Sequence, residues 1–295
     1  MSALCWFYQG KFKETRSGFD KYMADYPKGQ FMPDVRYRQA IVKFGLNPPE
    51  TEETLKICNE WLRDYAVQKS DDIVNQIPEV HTLIGDAETR LAENLDKGIR
   101  QADVNVRTNT NPETKKKFFA EKQRLEKEKE VHTSKAIESY ITAAKTARKN
   151  PQALDFVLRE LGKLLPGRGE HQRLRDLYKE IYEWDHNSPK ALSYLYEIIK
   201  ATERMGDKPE FAQETEQTQK KFSGKLAEAR GKLDALERKE TPKPVLEAAR
   251  ADVAKLSAEL AAALDEVEKR RQASIFQAKE EALGILSTAV AESIN

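Results

Sequence analysis

Residues 155–189 read DFVLRELGKLLPGRGEHQRLRDLYKEIYEWDHNSP, and their pattern of apolar side chains and glycines predicts the architecture. Large apolar residues recur at steps of three and four on both sides of the glycines, at Leu158, Leu161 and Leu165 and then at Leu174, Tyr178 and Ile181. This spacing predicts two amphipathic helices, joined by a turn at Gly167 and Gly169. We expect the small Gly162 to let the second helix approach closely. Because neither helix can bury its apolar stripe alone, such pairs are expected to stack.

Similar two-helix patterns recur along the rest of the chain. The predicted units cover residues 2–28, 32–68, 78–151 and 190–222. The first unit contains FDKYMADYP, which starts at Phe19, and the second begins with PDVRYRQA. Self-similarity at such distances is typical of helical repeat proteins.

These segments resemble the tetratricopeptide repeat, and FDKYMADYP and PDVRYRQA are similar to repeats of bacterial cell-envelope adaptors. Outer-membrane-assembly and Tol–Pal-coordinating proteins are examples. The resemblance covers roughly residues 2–222. It implies a right-handed α-solenoid whose stacked first helices line a concave groove that binds other proteins. The groove positions that it implies in this chain are Tyr37, Arg38, Asp86, Arg159, Lys163, Tyr196 and Lys200.

The third unit is longer than the others and predicts a helical insertion at about residues 88–135 that protrudes from the solenoid. Its first helix is expected to run on through Leu91–Ile99, and Val104–Asn111 is expected to form a loop. Asn111 is a favourable N-cap and Pro112 is favourable in a first turn, so a second helix is predicted to start there.

From Asp207 onward the apolar residues follow a heptad spacing in two series, separated by the connection Glu240–Pro244. The series are Phe222, Leu226, Ala229, Leu233 and Leu236, then Leu246, Ala249, Val253, Leu256, Leu260, Ala263 and Val267. When residues of the first series are paired with residues of the second series in reverse order, the two residue numbers of each pair add up to a nearly constant value. The spacing therefore predicts an antiparallel coiled-coil hairpin that projects as an arm.

The C-terminal residues carry two adjoining apolar stripes, one with Phe276, Leu283, Leu286 and Val290 and the other with Ile275, Ala282, Ile285 and Ala289. A face this wide predicts a capping helix that covers the end of the solenoid. The predicted domains are thus a solenoid at 1–206, the hairpin at 207–271 and the capping helix at 272–295. The predicted fold class is all-α.

Composition argues against several function classes. The chain has 50 Lys and Arg against 49 Asp and Glu, for a net charge of +1, whereas a nucleic-acid binder usually carries a basic excess. No apolar run is long enough to span a bilayer, and no signal peptide is visible. These features predict a cytoplasmic protein. Met1 falls part-way into a first helix, so a periplasmic or envelope location is the alternative if the native chain extends further.

No catalytic, metal or cofactor site is predicted. The histidines lack metal-ligand spacing, and no spacing suggests the buried titratable cluster that an enzyme needs. Cys5 and Cys58 are predicted to be buried free thiols. Lys115–Lys117, followed by two phenylalanines, is a candidate contact for nucleic acid or membrane. Solvation of a helix start is the preferred explanation of that run.

The predicted function is a non-enzymatic scaffold or adaptor that binds a partner peptide or domain in the groove. Arg159, Lys163 and Lys200, near Tyr196, predict an acidic peptide or a C-terminal carboxylate as the ligand. Ordinary solvation of these side chains is the alternative. The alternative function is self-assembly through the coiled-coil arm.

Overall fold

The computed structural model describes residues 2–68, 70–237 and 242–294, without the side chains of Ser2, Pro209 and residues 289–294. The helices are, in chain order, α1 (Ser2–Tyr8), α2 (Phe12–Asp25), α3 (Met32–Gly45), α4 (Thr51–Tyr65), α5 (Asp71–Thr108), α6 (Pro112–Thr146), α7 (Pro151–Gly167), α8 (His171–Asp185), α9 (Ala191–Gly206), α10 (Pro209–Glu237) and α11 (Lys243–Ile294). No strand occurs in these ranges, which confirms the predicted all-α class for the described residues.

The chain forms two compact units, Met1–Leu165 and Pro166–Asn295. The predicted domain boundary at residue 206 lies inside the second unit. The reason is that α9 packs closely against α11: a Cβ atom on Gly206 would lie 2.6 Å from the Cβ of Ala278. Helix α9, which ends at residue 206, therefore packs on a helix that follows it in the chain.

Successive helices of the first unit contact one another from α1 through α6, and α3 also contacts α5. One core cluster joins α3, α4 and α5 around Trp61, which is 1% exposed. The indole N–H of Trp61 donates a hydrogen bond to the carbonyl of Pro33 at 2.8 Å, so its one polar group is satisfied. A second cluster joins α1, α2 and α3 around Phe19. The amphipathic stripes of neighbouring helices thus bury one another.

The long helices α5 and α6 lie against each other and run in opposite directions. Ion pairs join Lys122 to Asp103 at 2.6 Å and Lys129 to Asp96 at 2.5 Å. Residue numbers rise along α6 as they fall along α5, so the two helices form an antiparallel pair.

The connection between α5 and α6 is shorter than the sequence predicts. Helix α5 continues to Thr108, so the predicted loop Val104–Asn111 is largely helical. The start of α6 is as predicted, because the side-chain oxygen of Asn111 accepts hydrogen bonds from the backbone N–H groups of Glu113 and Thr114. This is the N-cap arrangement.

The third predicted unit, 78–151, begins too late. Helix α5 starts at Asp71, and Pro78 lies inside it. Ser70 is extended, and Asp71 and Asp72 stand in the first turn, where acidic side chains are favourable. A proline removes one helical hydrogen bond without always ending the helix, so Pro78 obscures a start signal that lies upstream.

Gly85 permits close helix packing, whereas Gly162 does not. A Cβ atom on Gly85 would lie 2.5 Å from Cε1 of Tyr140 on α6, whereas a Cβ atom on Gly162 would meet nothing within 4 Å. The prediction for Gly162 is wrong because that residue is exposed. Gly169 does serve the predicted turn, with φ of +73°, a value that glycine adopts without strain.

The two cysteines differ in exposure. Cys58 is buried in the core, and burial raises the pKa of its thiol to about 12. Cys5 is exposed, so the prediction of a buried thiol is wrong there. Helix α1 packs through Ala3 and Phe7, four residues apart, and Cys5 lies between them on another side of the helix.

In the second unit, α8 packs on α9, and the rings of Tyr178 and Tyr194 lie 6.2 Å apart. Helix α10 packs on the first part of α11, where ion pairs join Glu237 to Arg250 at 2.9 Å and Glu214 to Arg270 at 2.6 Å. Residue numbers rise along α11 as they fall along α10, so these helices are antiparallel. Of the predicted connection Glu240–Pro244, residues 240 and 241 lie outside the described residues.

Helix α11 is continuous, so no helix end separates the predicted hairpin from the predicted capping helix. Its C-terminal part packs on α9, where Ala282 of one predicted stripe is buried, as is Ala278, which was assigned to neither stripe. The other stripe faces outward, with Phe276 65% and Leu283 58% exposed. The apolar face is therefore only half covered. The side chains of Ala289 and Val290, also assigned to these stripes, lie outside the description.

Candidate functional site

Two adjoining cavities form a groove in the first unit, between α3, α5 and the start of α7. Their volumes are about 560 and 490 Å³. Both are lined by Asp34 and Arg38 of α3 and by Gln76 and Glu79 of α5. Each pair is three or four residues apart on its helix, so both side chains face the same way. We call this depression the polar groove.

Glu79 lies in the polar groove beside two neutral side chains. Its Oε1 accepts a hydrogen bond from Nδ2 of Asn150 at 3.1 Å, and the hydroxyl of Tyr37 lies close to the same carboxylate. Burial, reinforced by the negative charge of Glu79, raises the pKa of Tyr37, so the phenol stays protonated. Asn150 is itself fixed, because its Oδ1 caps α7 by accepting from the N–H of Ala153 at 3.0 Å.

The charge of Glu79 is not compensated by a basic side chain. Within the part of the chain that the structure describes, no ion pair joins it to a lysine, an arginine or a histidine. Neutral donors orient a carboxylate but leave its net charge in place. Glu79 is therefore a half-buried anion that faces the polar groove.

Among the described residues that line the groove, the one basic side chain, Arg38, is already engaged. Nε of Arg38 donates to Oδ2 of Asp34 at 2.8 Å. The Arg38 guanidinium also lies over the rings of Phe7 and Tyr8, at 5.2 and 5.5 Å from their centroids, a cation–π arrangement. Its charge is thus balanced within the protein.

Gln76 completes the α3–α5 contact. Its Nε2 donates to the second oxygen of Asp34, Oδ1, at 3.2 Å. Its Oε1 is buried and has no hydrogen-bond partner among the described residues. Leaving a buried acceptor unpaired reduces the stability of the fold by about 1–3 kcal/mol. In this wall of the groove, that acceptor is Gln76 Oε1.

Of the predicted groove residues, Tyr37 and Arg38 line the polar groove and Asp86 does not. The carboxylate of Asp86 accepts a hydrogen bond from the Tyr140 hydroxyl at 2.7 Å and so links α5 to α6. Burial raises the pKa of Asp86, and the nearby charge of Glu160 raises it further.

The predicted cations of α7 share one carboxylate. Nε of Arg159 and Nζ of Lys163 lie 3.3 and 2.8 Å from Oε1 of Glu160. The Arg159 guanidinium also lies 5.1 Å from the ring centroid of Phe156, which lines the polar groove.

In the second unit, Nζ of Lys200 lies 5.6 Å from the ring centroid of Tyr196 and 3.3 Å from Oε1 of Glu197. Tyr196 is exposed. Each of the three cations predicted to bind an anion therefore has a carboxylate beside it.

The groove residues that the sequence did not single out are Asp34, Gln76, Glu79 and Asn150. A signal for most of them exists in the spacing. Asp34 stands one helical turn from Arg38, and Gln76, Glu79 and Thr82 form a polar row at steps of three on α5. The late start assigned to the third unit, at residue 78, cut this row by leaving Gln76 outside the repeat.

Across residues 2–68, 70–237 and 242–294, no group of three or more His, Cys, Asp or Glu side chains is arranged to hold a metal ion. None of the helices described combines the length and the hydropathy that crossing a membrane requires. No protein-family model matches this chain, and neither does any curated protein.

Proposed function

We propose that this chain is a non-enzymatic scaffold of the tetratricopeptide-repeat type, which binds an extended segment of a partner protein in the polar groove. The observation that carries the proposal is the groove itself, to which three helices contribute carboxylate, amide and aromatic side chains. The sequential packing of α1 through α6, with α3 also on α5, supports stacked helix pairs in the first unit.

The lining favours a polypeptide over a small molecule. Sites for small molecules are usually enclosed and mostly apolar. The polar groove is instead rich in amide side chains, and an amide can both donate to and accept from a peptide bond. These amides are Gln30, Gln68, Asn75 and Gln152, whereas the amides of Gln76 and Asn150 are held by Asp34, Glu79 and the backbone of Ala153.

Photo-crosslinking tests this proposal. A photoreactive phenylalanine analogue at Gln152, which is exposed and lines the groove, should crosslink a partner in extracts of the source cells. The same analogue at Glu93, which is exposed on α5 outside both cavities, is the matched control. The crosslinked segment, made as a synthetic peptide, should bind the parent protein. It should not bind the Ile41→Arg variant, because that change fills the groove with a bulky cation.

Equal crosslinking from both positions, or a peptide that binds the Ile41→Arg variant normally, would contradict a role for the groove. Circular dichroism of that variant shows whether its helices are intact.

Self-assembly is the second candidate, and the exposed stripe on α11 favours it. Phe276 and Leu283 are seven residues apart, so they lie on one face of the helix. If this stripe joins copies of the chain, the mass in solution should rise with concentration. The double variant Phe276→Lys, Leu283→Lys should then stay monomeric. A parent protein that is monomeric at every concentration rules this function out.

A further inference from the structure

We infer that the partner segment places a lysine or arginine side chain in the polar groove, with Glu79 as its counter-ion. This inference rests on the proposed function and narrows it to a basic ligand. It departs from the acidic ligand that the sequence predicts.

The charges that line the groove are predominantly negative. Among the described residues of the lining, three carboxylates, Asp34, Asp72 and Glu79, face one cation, Arg38. Asp34 and Arg38 neutralise each other, which leaves Asp72 and Glu79. An acidic peptide in this groove would lie beside two uncompensated negative charges, and like charges in contact disfavour binding strongly.

Glu79 has unused capacity for a charged donor. An ionised carboxylate can accept about four hydrogen bonds, and Glu79 accepts one from Asn150 and lies beside the Tyr37 hydroxyl. These two contacts fix its position before any ligand arrives, so a partner cation meets a preorganised anion. Because Glu79 is partly shielded from water, an ion pair there is screened less than one on an open surface.

An aromatic side chain at the edge of the groove suits the same ligand. Phe31 is 59% exposed at the edge of the groove, and an aromatic face attracts a cation. The cations that supported an acidic ligand, Arg159, Lys163 and Lys200, already have carboxylate neighbours.

The test uses three pools of fluorescent synthetic peptides with randomised flanks and a fixed central residue, which is arginine, citrulline or glutamate. Citrulline has nearly the shape of arginine and no charge. By fluorescence anisotropy, the parent protein should bind the arginine pool about tenfold more tightly than the citrulline pool and should bind the glutamate pool most weakly. The affinity for the arginine pool should fall as salt is added.

Substitutions at Glu79 test whether this residue causes the preference for the arginine pool. Glu79→Gln keeps the size of the side chain and should bring the arginine and citrulline pools to nearly equal affinity, while Glu79→Lys should favour the glutamate pool. Glu93→Gln removes one negative charge from the same helix, about 21 Å away, and should behave as the parent. If Glu79→Gln loses helicity, Asp72→Asn serves instead, because Asp72 is exposed in the first turn. It should lower the preference for arginine by about threefold.

Equal binding of the arginine and citrulline pools by the parent, or an arginine preference that survives in Glu79→Gln, overturns the inference. If both pools bind the parent equally but neither binds the Ile41→Arg variant, the groove does bind peptides and only the preference for a basic ligand is wrong. If no pool binds and Gln152 yields no crosslink, the proposed function fails as well.

Discussion

Helices α5 and α6 approach each other closely at Gly85, so a substitution there tests their packing. Gly85→Ala places a methyl group 2.5 Å from the Tyr140 ring, and relieving such overlap typically destabilises by about 1–3 kcal/mol. Gly162→Ala is the matched control, since its methyl group meets nothing within 4 Å. That change should be neutral or stabilise by up to about 1 kcal/mol through helix propensity. Urea unfolding of both variants measures the difference, and equal stabilities would show that α5 and α6 do not touch at Gly85.

Asp86 should make stability depend on pH in the acidic range. Burial raises the pKa of its carboxyl group in the folded state above its value in the unfolded chain, so the folded state binds the proton more tightly. Ionisation of Asp86 is therefore unfavourable for folding, and this penalty shrinks as the pH falls through the folded-state pKa.

Asp86→Asn removes this penalty while its amide oxygen can still accept the Tyr140 hydrogen bond. We expect the variant to be at least as stable as the parent at neutral pH and to lose that advantage on acidification. Urea midpoints of both proteins across the acidic range measure the effect. An advantage that does not change with pH would mean that Asp86 is not perturbed.

At the scale of elements, the pairing of α10 with α11 can be tested by a disulfide. Ala229 and Leu256 line one cavity between these helices. In a background with Cys5→Ser and Cys58→Ala, we expect the pair Ala229→Cys, Leu256→Cys to form a crosslinked monomer on mild oxidation. The pair Ala227→Cys, Ala254→Cys is the control, because both positions are exposed. Gel electrophoresis without reductant reads the result, and dimers alone, or no crosslink, would disprove the pairing.

An element could be predicted from the sequence when the residues that determine it are adjacent in the chain. The N-cap of α6 at Asn111 depends on adjacent residues and was predicted correctly. The start of α5 was not, because Pro78 resembles a boundary although the helix tolerates it. The polar groove is harder to predict than either helix end, because it depends on contacts between helices. Glu79 and Asn150 meet only once α5 and α7 are in place, and no spacing within one helix specifies that contact.

At the scale of the whole molecule, the last part of α11 should hold the second unit together. Deleting residues 272–295 uncovers the side of α9 on which Ala278 and Ala282 pack, so we expect aggregation and increased binding of an apolar dye. Phe276→Lys with Leu283→Lys is the control, since both side chains face outward and should leave the unit folded. Size-exclusion chromatography follows both. A truncated protein as soluble as the parent would show that this segment is dispensable.

The unbroken course of α11 has a mechanical consequence. From Lys243 to Ile294 it is one helix, about 78 Å long at 1.5 Å per residue, and it is shared by two contacts, one with α10 and one with α9. A helix resists torsion because turning one end strains every hydrogen bond along it. A rotation of α11 about its axis at the α10 contact is therefore transmitted along the helix to the α9 contact at Gly206. No break in the helix separates the two contacts.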